Sequence, residues 1–495
     1  MSDTHGVKET ILKEGFIIYP VKGTSMLPLL DEDHDLVRLE RFPTAPEKYD
    51  VALFERKSGS LVLHRILDVK KKYCVFCGDN QKTTEKVPTE DVVAKAVGFF
   101  RDGEYTSFDS EEYHRYVEEI CRDIPSREVI KKIPRSWKNV VALVGAALAG
   151  KKTKLGDGAD YDGALALAKR HSVASLAFRA LDKDECPSDT YKKWSDCADA
   201  ALKKEILFDA ERAAILSELE KEGIKYICLK GIVIKELYPE KGMREFADND
   251  ILYDVSRKAD VLKIMTSRGF EAINLEYVHD TYHKAPIYNF EFHKMLFPKT
   301  HPLAKHFANV WASAEKIGDG CEYRMTNEDF YLYFIAHFYK HFANSGSGLR
   351  YFCDLYYLKK KLCARDFDEK YVAERLEKAK LAEFEKKAAA LAEKITGSPE
   401  DLTYDDLCYV MESGTYGRRD TSIRNGINKR GKVCYFFSRA FLPYDTLCGK
   451  YPFLRKAPAL LPFCEVARLI EAVFNKSKRS RAWREIEILG EKKEK

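Results

Sequence analysis

From Phe16 to about Gly103 the chain alternates short apolar runs with turn residues: FIIYPV, DLVRLE, DVALFE, LVLHRIL, YCVFCG and VVAKAVGFF. Runs of that length and spacing predict the strands of a small, mostly antiparallel sheet or barrel. From Ser110 onward the period becomes helical. A charged, Pro-interrupted stretch from Asp123 to Arg135 reads as a connector, and the Gly/Lys stretch Gly150 to Gly158 as a linker. Ala200 to Glu222 repeats apolar residues at helical spacing and stops at Gly223, a C-cap signal. The run IKYICL then predicts a strand, followed by a turn, a short helix, a loop and a second strand that starts about Asp248 and ends by Val255. Ser256 stands where it can cap a helix reaching about Ser267, before Gly269. Thr326 and Asp329 make a capping box for the apolar helix DFYLYFIAHFYKHFA, and the rest to Leu489 reads mainly as helix. The tail NKSKRSRAWREIEILGEKKEK reads as a solvated helix with a frayed end. There is no internal repeat.

The pattern therefore predicts an α+β multidomain chain, in which a small mostly antiparallel β domain precedes an α/β core embedded in helices. The expected boundaries are residues 1–108 for the β domain, 109–158 for a linker and helical connector, 159–400 for the α/β domain and 401–495 for a helical C-terminal extension.

Length agrees with two or three domains, since the chain has 495 residues. Its 83 basic and 78 acidic residues leave a net charge of +5, so no global field favours nucleic acid and any basic patch is local. Thirteen cysteines, an odd number without framework spacing, suit buried thiols in a reducing compartment. The N-terminus lacks the apolar core of a signal peptide. The longest apolar run, Val140 to Ala149, is about half the ~20 residues needed to cross a bilayer. The expectation is a cytoplasmic protein without a membrane span.

Asp248 and Asp250 stand two apart at the start of a predicted strand, so their side chains leave the same face and can share metal ions. Hard cations held by oxygens suit magnesium and grip a nucleotide's phosphates. Glu291, in the alternating run IYNFEFHKML, is the candidate third carboxylate. Gly231 ends the preceding strand where a side chain would obstruct phosphate, and Lys230 and Arg244 are placed to neutralise phosphate charge.

This set resembles the DNA polymerase β-like nucleotidyltransferase superfamily, with its glycine turn, spaced acidic pair and later single carboxylate. More closely it is similar to a bacterial branch with an LKG turn, an Arg-rich loop, a DiDlL pair and an ElH strand. Here these are Leu229-Lys230-Gly231, Arg244, Asp248 to Leu252 and Glu291-Phe292-His293. ALALAKRHSVASLAFRAL and HFYKHFANSGSGLRYFCDLYYL also match, so the likeness runs from about Trp137 towards the C-terminus. It implies Mg²⁺- or Mn²⁺-dependent transfer of a nucleotidyl or phosphoryl group from a nucleoside triphosphate, with ATP the expected donor. Two departures stand out. Ile232 occupies a position where the superfamily prefers Ser or Gly, and the polar Asn249 suggests a less buried strand.

In the first domain KGTSMLPLLDEDHDLV carries Ser25, LVLHRIL places His64 on a strand, and YCVFCGDNQ supplies Asp79. A serine nucleophile needs a base, and a histidine oriented by a carboxylate provides one. Asp79 or Glu85 can fill the orienting role. These boxes resemble the signal peptidase I/LexA serine peptidases over about residues 15–105. His64 stands at the base position, as in the archaeal and endoplasmic-reticulum forms, in place of lysine. A histidine base starts from a reference pKa near ~6.5, a lysine base near ~10.4. Without a membrane anchor, a short peptide is the better expected substrate.

Other signals carry less. GAALAGKKT lacks the P-loop Ser/Thr, because Lys152 stands there, and its Ala-rich spacing favours helix. Cys74 and Cys77 form a single CxxC, too few ligands for zinc. His337 and His341 lie one helical turn apart, suited to packing or a phosphate contact. Arg418, Arg419, Arg424, Lys429 and Arg430 form a basic cluster, read as solvated. Arg350 and Asp354 are placed to pair across a helical turn. The sequence thus points to nucleotidyl transfer to an unidentified acceptor, a small peptide or protein first, joined to peptide processing. A non-catalytic adaptor binding peptide and nucleotide is the alternative, and tRNA stays open as an acceptor.

Overall fold

The structure, a computed structural model, describes residues 3–474 apart from 57, 58, 157, 276, 277, 300, 365, 416, 418 and scattered positions between 433 and 450, together with 485 and 488. The chain divides into two compact units, Met1–Asn139 with Gly156–Asp160 and Val140–Leu155 with Tyr161–Lys495.

In the first unit α1 (Asp3–Glu14) precedes β1 (Phe16–Pro20), β2 (Asp35–Glu40), β3 (Val51–Glu55), β4 (Leu61–Val69), β5 (Tyr73–Cys77), β6 (Glu85–Pro88), β7 (Val92–Arg101) and β8 (Glu104–Ser107), with α2 (Glu111–Arg122) after them. The strands form one antiparallel sheet in the order β1-β2-β7-β3-β4-β5-β6, with β8 on β7. All six predicted runs are strands. The four-residue β6 and β8 are too short and polar to show alternation. Val37 and Leu39 point inward from β2 and meet Val7 and Ile11, one turn apart on α1, with Met26 and Leu30. Burying each such side chain contributes ~1.5–3 kcal/mol, which fixes the face the sheet turns inward. Asp35 is buried on the same strand because Arg101 holds both its oxygens, at 2.7 and 2.6 Å.

The stretch expected to connect domains is fastened to this unit through residue 139. Ser110 caps α2 by accepting a hydrogen bond from Tyr113 N. Arg127 donates to the carbonyls of Gly78 (2.8 Å) and Asp79 (2.6 Å), and Ile130 N donates to Asn80 Oδ1 (2.7 Å).

The second unit contains most of α3 (Arg135–Leu148), then α4 (Tyr161–Arg170), α5 (Ala174–Phe178), α6 (Ser188–Lys221), β9 (Tyr226–Cys228), α7 (Gly231–Ile234), β10 (Asn249–Tyr253), α8 (Lys258–Ser267), β11 (Glu271–Leu275), β12 (His279–Lys284) and β13 (Tyr288–His293). Beyond these come α9 (Val310–Ser313), β14 (Glu315–Lys316), β15 (Glu322–Arg324), α10 (Asn327–Asn344), α11 (Leu349–Tyr357), α12 (Glu369–Lys378), α13 (Ala382–Gly397), α14 (Tyr404–Ser413), α15 (Arg419–Arg430) and α16 (Leu461–Phe474). The sheet order is β11-β12-β13-β10-β9-β15-β14. At its centre β10 and β13 run parallel, with Asp250 opposite Glu291 and Leu252 opposite His293. Alternation sends Ile251, Tyr253, Phe290 and Phe292 the other way, into a core with Ile215 and Leu219 of α6 and Val261 and Met265 of α8.

Several local expectations change. Asn249 does not loosen its strand: it is fully buried, its Oδ1 accepting from Arg212 Nη1 at 3.0 Å. Ser256 does not cap α8: Asp254 accepts from Ser256 N and caps a 3-10 turn over Val255–Arg257, and α8 follows from Lys258 without a side-chain cap. Thr326 caps α10, but the Asp329 carboxylate turns to His306 (2.7 Å) and Tyr371 (3.1 Å), so only half the capping box forms. The near P-loop sequence lies in α3 through Leu148. Arg418 and the tail beyond Phe474, save Glu485 and Ile488, lie outside the described residues. Among the described residues no helix is long and apolar enough to cross a membrane.

Candidate functional site

In the first unit His64 lies on β4 opposite Ala52 of β3 and is buried. Its Nε2 is 3.1 Å from Ser25 Oγ and its Nδ1 is 3.1 Å from Glu85 Oε1. Serine, histidine and a carboxylate thus form one hydrogen-bonded line, the arrangement that makes a serine nucleophilic. Burial raises the Glu85 carboxyl, but hydrogen bonds from His64 and Arg56 outweigh it and bring it down to about 2. Glu85 is therefore a charged acceptor at neutral pH.

Asp79, expected among the catalytic residues, does not touch His64. Its two oxygens take Arg65 Nε (2.9 Å) and Nη2 (2.6 Å), and Tyr116 donates to it at 2.9 Å. The reason is strand alternation: His64 and Arg65 are neighbours on β4 and leave opposite faces. Burial would lower the Arg65 guanidinium, yet Asp79 holds it above its ordinary value. Gly78 is required by close approach, because a Cβ there would come within 2.5 Å of the Ser25 carbonyl oxygen. Asn80 N donates to that same carbonyl at 2.8 Å, so the turn after β5 braces the backbone of Ser25.

In the second unit Asp250 is buried, and its Oδ1 receives Lys230 Nζ and His293 Nε2, both at 2.7 Å. The ligand atoms of Asp250, Glu291 and His293 all lie within 4.8 Å of one another. Asp248 is outside that tight group but shares its field. Burial raises the Asp248 carboxyl, the charges of Asp250 and Glu291 add to this against Lys230 and Arg350, and it stands at about 6. Burial pushes Asp250 the same way, but Lys230 and His293 hold it far below the usual carboxylate range. Lys230, whose own burial favours neutrality, is kept charged chiefly by Asp250. Its backbone sits at φ 44°, in the left-handed region, where an ordinary residue is strained. Strain of this kind persists where surrounding contacts demand it, here at the turn that points Lys230 at Asp250.

Two expected phosphate contacts change character. Arg244 is buried, with Nε and Nη2 on the two oxygens of Asp354, each at 2.8 Å, and Tyr238 donates to the same carboxylate. Its charge is occupied inside the fold. A Cβ on Gly231 would meet Arg244 Nη1 at 2.7 Å, so this glycine makes room for the Arg244 clamp. With Asp354 taken, Arg350 pairs elsewhere and donates to the Glu245 carbonyl at 3.3 Å.

Sequence reasoning gave His293 no role beyond its place in the motif and Tyr333 none at all, and for His337 and His341 it named packing or a phosphate contact. Tyr333, His337 and His341 follow one another at four-residue spacing. Tyr333 feels the charges of Lys230, Asp250, Glu291 and Asp248. The Nε2 atoms of His337 and His341 are 3.2 Å apart, and both rings lie near that of Tyr351, at 6.4 and 5.9 Å between centroids. Burial lowers both imidazoles, helped by Lys230: His337 well below its ordinary value, and His341 to about 4, where Lys340 and Arg350 also contribute. The i, i+4 spacing of the two histidines was legible; the nearness of Lys230 and Arg350 was not.

The second unit has a recognisable relative. Residues 157–397 match a family described as an uncharacterised nucleotidyltransferase. The carboxylates, Lys230 and the α10 histidines all fall inside that match. No curated protein matches the chain. Among solved structures, a solution structure of the antibiotic-resistance factor ANT(2'')-Ia is similar at 12% identity, over 37% of this chain and 86% of that one, with a TM-score of 0.20. A likeness that distant carries no argument about this fold.

Proposed function

We propose that the second unit transfers a nucleotidyl group from a nucleoside triphosphate, ATP first, to an acceptor hydroxyl, with phosphoryl transfer the lesser variant. The observation that carries this reading is Asp250 set opposite Glu291 on adjoining parallel strands, with Lys230 on the same carboxylate, inside the region similar to nucleotidyltransferases. The donor set fits a divalent cation: three ligand atoms converge, and Asp248 is raised by burial and then by the like charges of Asp250 and Glu291, whose repulsion a cation relieves. Asp248, Asp250 and Glu291, with His293, would hold magnesium or manganese, which supplies charge neutralisation at the phosphates and at the attacking oxygen. Lys230 presents a fixed cation to the phosphates at the mouth of the sheet. Arg350 and the neutral His337 and His341 offer further donors to the triphosphate tail. In the reaction the acceptor hydroxyl gives up its proton to water as its oxygen bonds to the α-phosphorus, the α–β bridge bond breaks, and pyrophosphate leaves.

The first unit supports a second, coupled reading. The line from Ser25 through His64 to Glu85 suits hydrolysis of a short peptide: Ser25 Oγ adds to the carbonyl carbon, His64 takes its proton and returns it to the departing amine, and water then releases the acyl group. One peptide visiting both units is the arrangement this reading favours, in a cytoplasmic setting.

Calorimetry with ATP, in magnesium and in chelator, tests the first reading on wild type and Asp250→Asn. Binding should be much tighter with magnesium and lose that advantage in the variant. Equal binding in all four conditions would sink it. Transfer of α-label to a peptide or protein marks nucleotidylation, and transfer of γ-label alone marks phosphorylation.

A further inference from the structure

Among the described residues, the polar contacts of the His293 imidazole go to the carboxylates of the site. The ring is buried, only 5% exposed, and its Nδ1 has no hydrogen-bond partner there. Its Nε2 lies 2.7 Å from Asp250 Oδ1 and 3.6 Å from Glu291 Oε2. Burying a polar ring is unfavourable unless its atoms are partnered, so a histidine with no bond to the surrounding fold is not explained by packing. The strands set its aim: Glu291 and His293 stand two apart on β13 and leave the same face, which is also the face of Asp250 across the parallel pair.

The distances suit a ligand. With bonds of about 2.1 Å, neighbouring ligand atoms of an octahedral ion stand about 3 Å apart. The two separations from His293 Nε2 fall on either side of that figure. A nitrogen among the ligands also discriminates between ions. Carboxylate oxygens serve magnesium and manganese alike, whereas imidazole suits transition ions and is a poor partner for magnesium, which is hard and gives up its waters reluctantly. His279 supplies a comparison. It opposes His293 on β12, with ring centroids 5.2 Å apart, but its Nε2 is 3.8 Å from Glu291 Oε2, and it lies outside the tight ligand group.

We propose that His293 is a metal ligand through Nε2 and gives the site a preference for a divalent transition ion, manganese first, over magnesium. This rests on the transfer reading only in placing a cation at Asp250 and Glu291; what it adds is the nitrogen. The test is pulsed electron paramagnetic resonance on the full chain loaded with Mn²⁺ alone. Echo modulation from a directly bound nitrogen should appear, and should change when the histidines are labelled with ¹⁵N. It should vanish in His293→Gln and His293→Asn and persist in His279→Gln. In calorimetry with each metal alone, His293→Gln should weaken Mn²⁺ at least about tenfold and Mg²⁺ about threefold or less. A histidine that only held Asp250 in place would weaken both ions alike. The wild-type spectrum and its ¹⁵N change need no variant, so they decide even where a substitution unfolds the chain. Bound Mn²⁺ without nitrogen modulation, modulation that survives both His293 variants, or equal weakening of the two ions would overturn the proposal and leave the carboxylate site and the transfer reading standing. Failure of the wild type to bind Mn²⁺ or Mg²⁺ at all would overturn both.

Discussion

At the scale of single residues, the carboxylate that serves a histidine is chosen by reach rather than by order along the chain. Asp79 follows the glycine of its box, but the alternation of β4 gives it to Arg65 and leaves His64 to Glu85. Glu85→Gln should therefore lower peptide hydrolysis by about 10²-fold or more, where hydrolysis is assayed, with the fold intact. Asp79→Asn should instead destabilise the unit by ~3–5 kcal/mol, since it leaves a buried guanidinium without its charge partner. Denaturant titration separates the two. Glu85 also predicts a pH dependence of stability. Its folded value of about 2 lies below the ordinary 4.5, so the stabilisation it gives is fully present above about pH 4.5 and is lost as pH falls through about 2. Urea midpoints between pH 5.5 and pH 2 should fall more steeply for wild type than for Glu85→Gln; parallel slopes would count against the Glu85 contact. Arg244 teaches the same lesson as Asp79. A cation near a phosphate turn looks like a ligand in sequence, and only its bidentate hold on Asp354 shows it bracing the fold.

At the scale of elements, what was legible followed apolar period. The six strands of the first unit and the order of strand, turn and strand around Lys230 show in alternation, because each buries one face. The spacing of Asp248 and Asp250 was equally readable. Glu291 was expected on a strand neighbouring that pair, as β13 is to β10, but the register that sets it directly against Asp250 was not legible, because parallel register depends on contacts 41 residues apart rather than on local pattern. The role of α10 was hidden for a related reason. Its apolar run reads as a core helix, and Tyr333, His337 and His341 gain meaning only once α10 stands near Lys230. His341→Ala and Arg350→Ala should each weaken binding of inorganic triphosphate about tenfold in chelator, with no change in melting temperature. Unchanged affinity in both would remove α10 and α11 from the phosphate site. Affinity lost only together with stability would assign them to packing.

At the scale of the whole molecule, composition indicated more than one folded body, and the chain does divide in two. Polar, Pro-interrupted sequence between Asp123 and Arg135 read as a free connector because it has no apolar period. What holds it is instead a set of polar contacts: Arg127 on three carbonyls after β5, Asn80 paired with both the N–H and the C=O of Ile130, and Lys132 and Arg135 on Asp33. These contacts leave no local signature, since each partner lies at least 40 residues away in sequence. They also relocate the site of easiest cleavage. Proteases first nick exposed segments rich in small and polar residues. Gly150, Lys151, Lys152, Lys154 and Gly156 are all exposed, whereas the segment 111–139 is tied down. Brief trypsin treatment should therefore cut first at Lys151, Lys152 or Lys154 and spare Arg127, Lys131 and Lys132, as mass spectrometry of the fragments will read. The N-terminal fragment should retain any Ser25-dependent hydrolysis, and the C-terminal one magnesium-dependent nucleotide binding, because each set of side chains is complete within its own unit. First cuts between residues 111 and 139, or loss of both properties on cleavage, would show that the connector contacts do not hold in solution or that neither unit keeps its site alone.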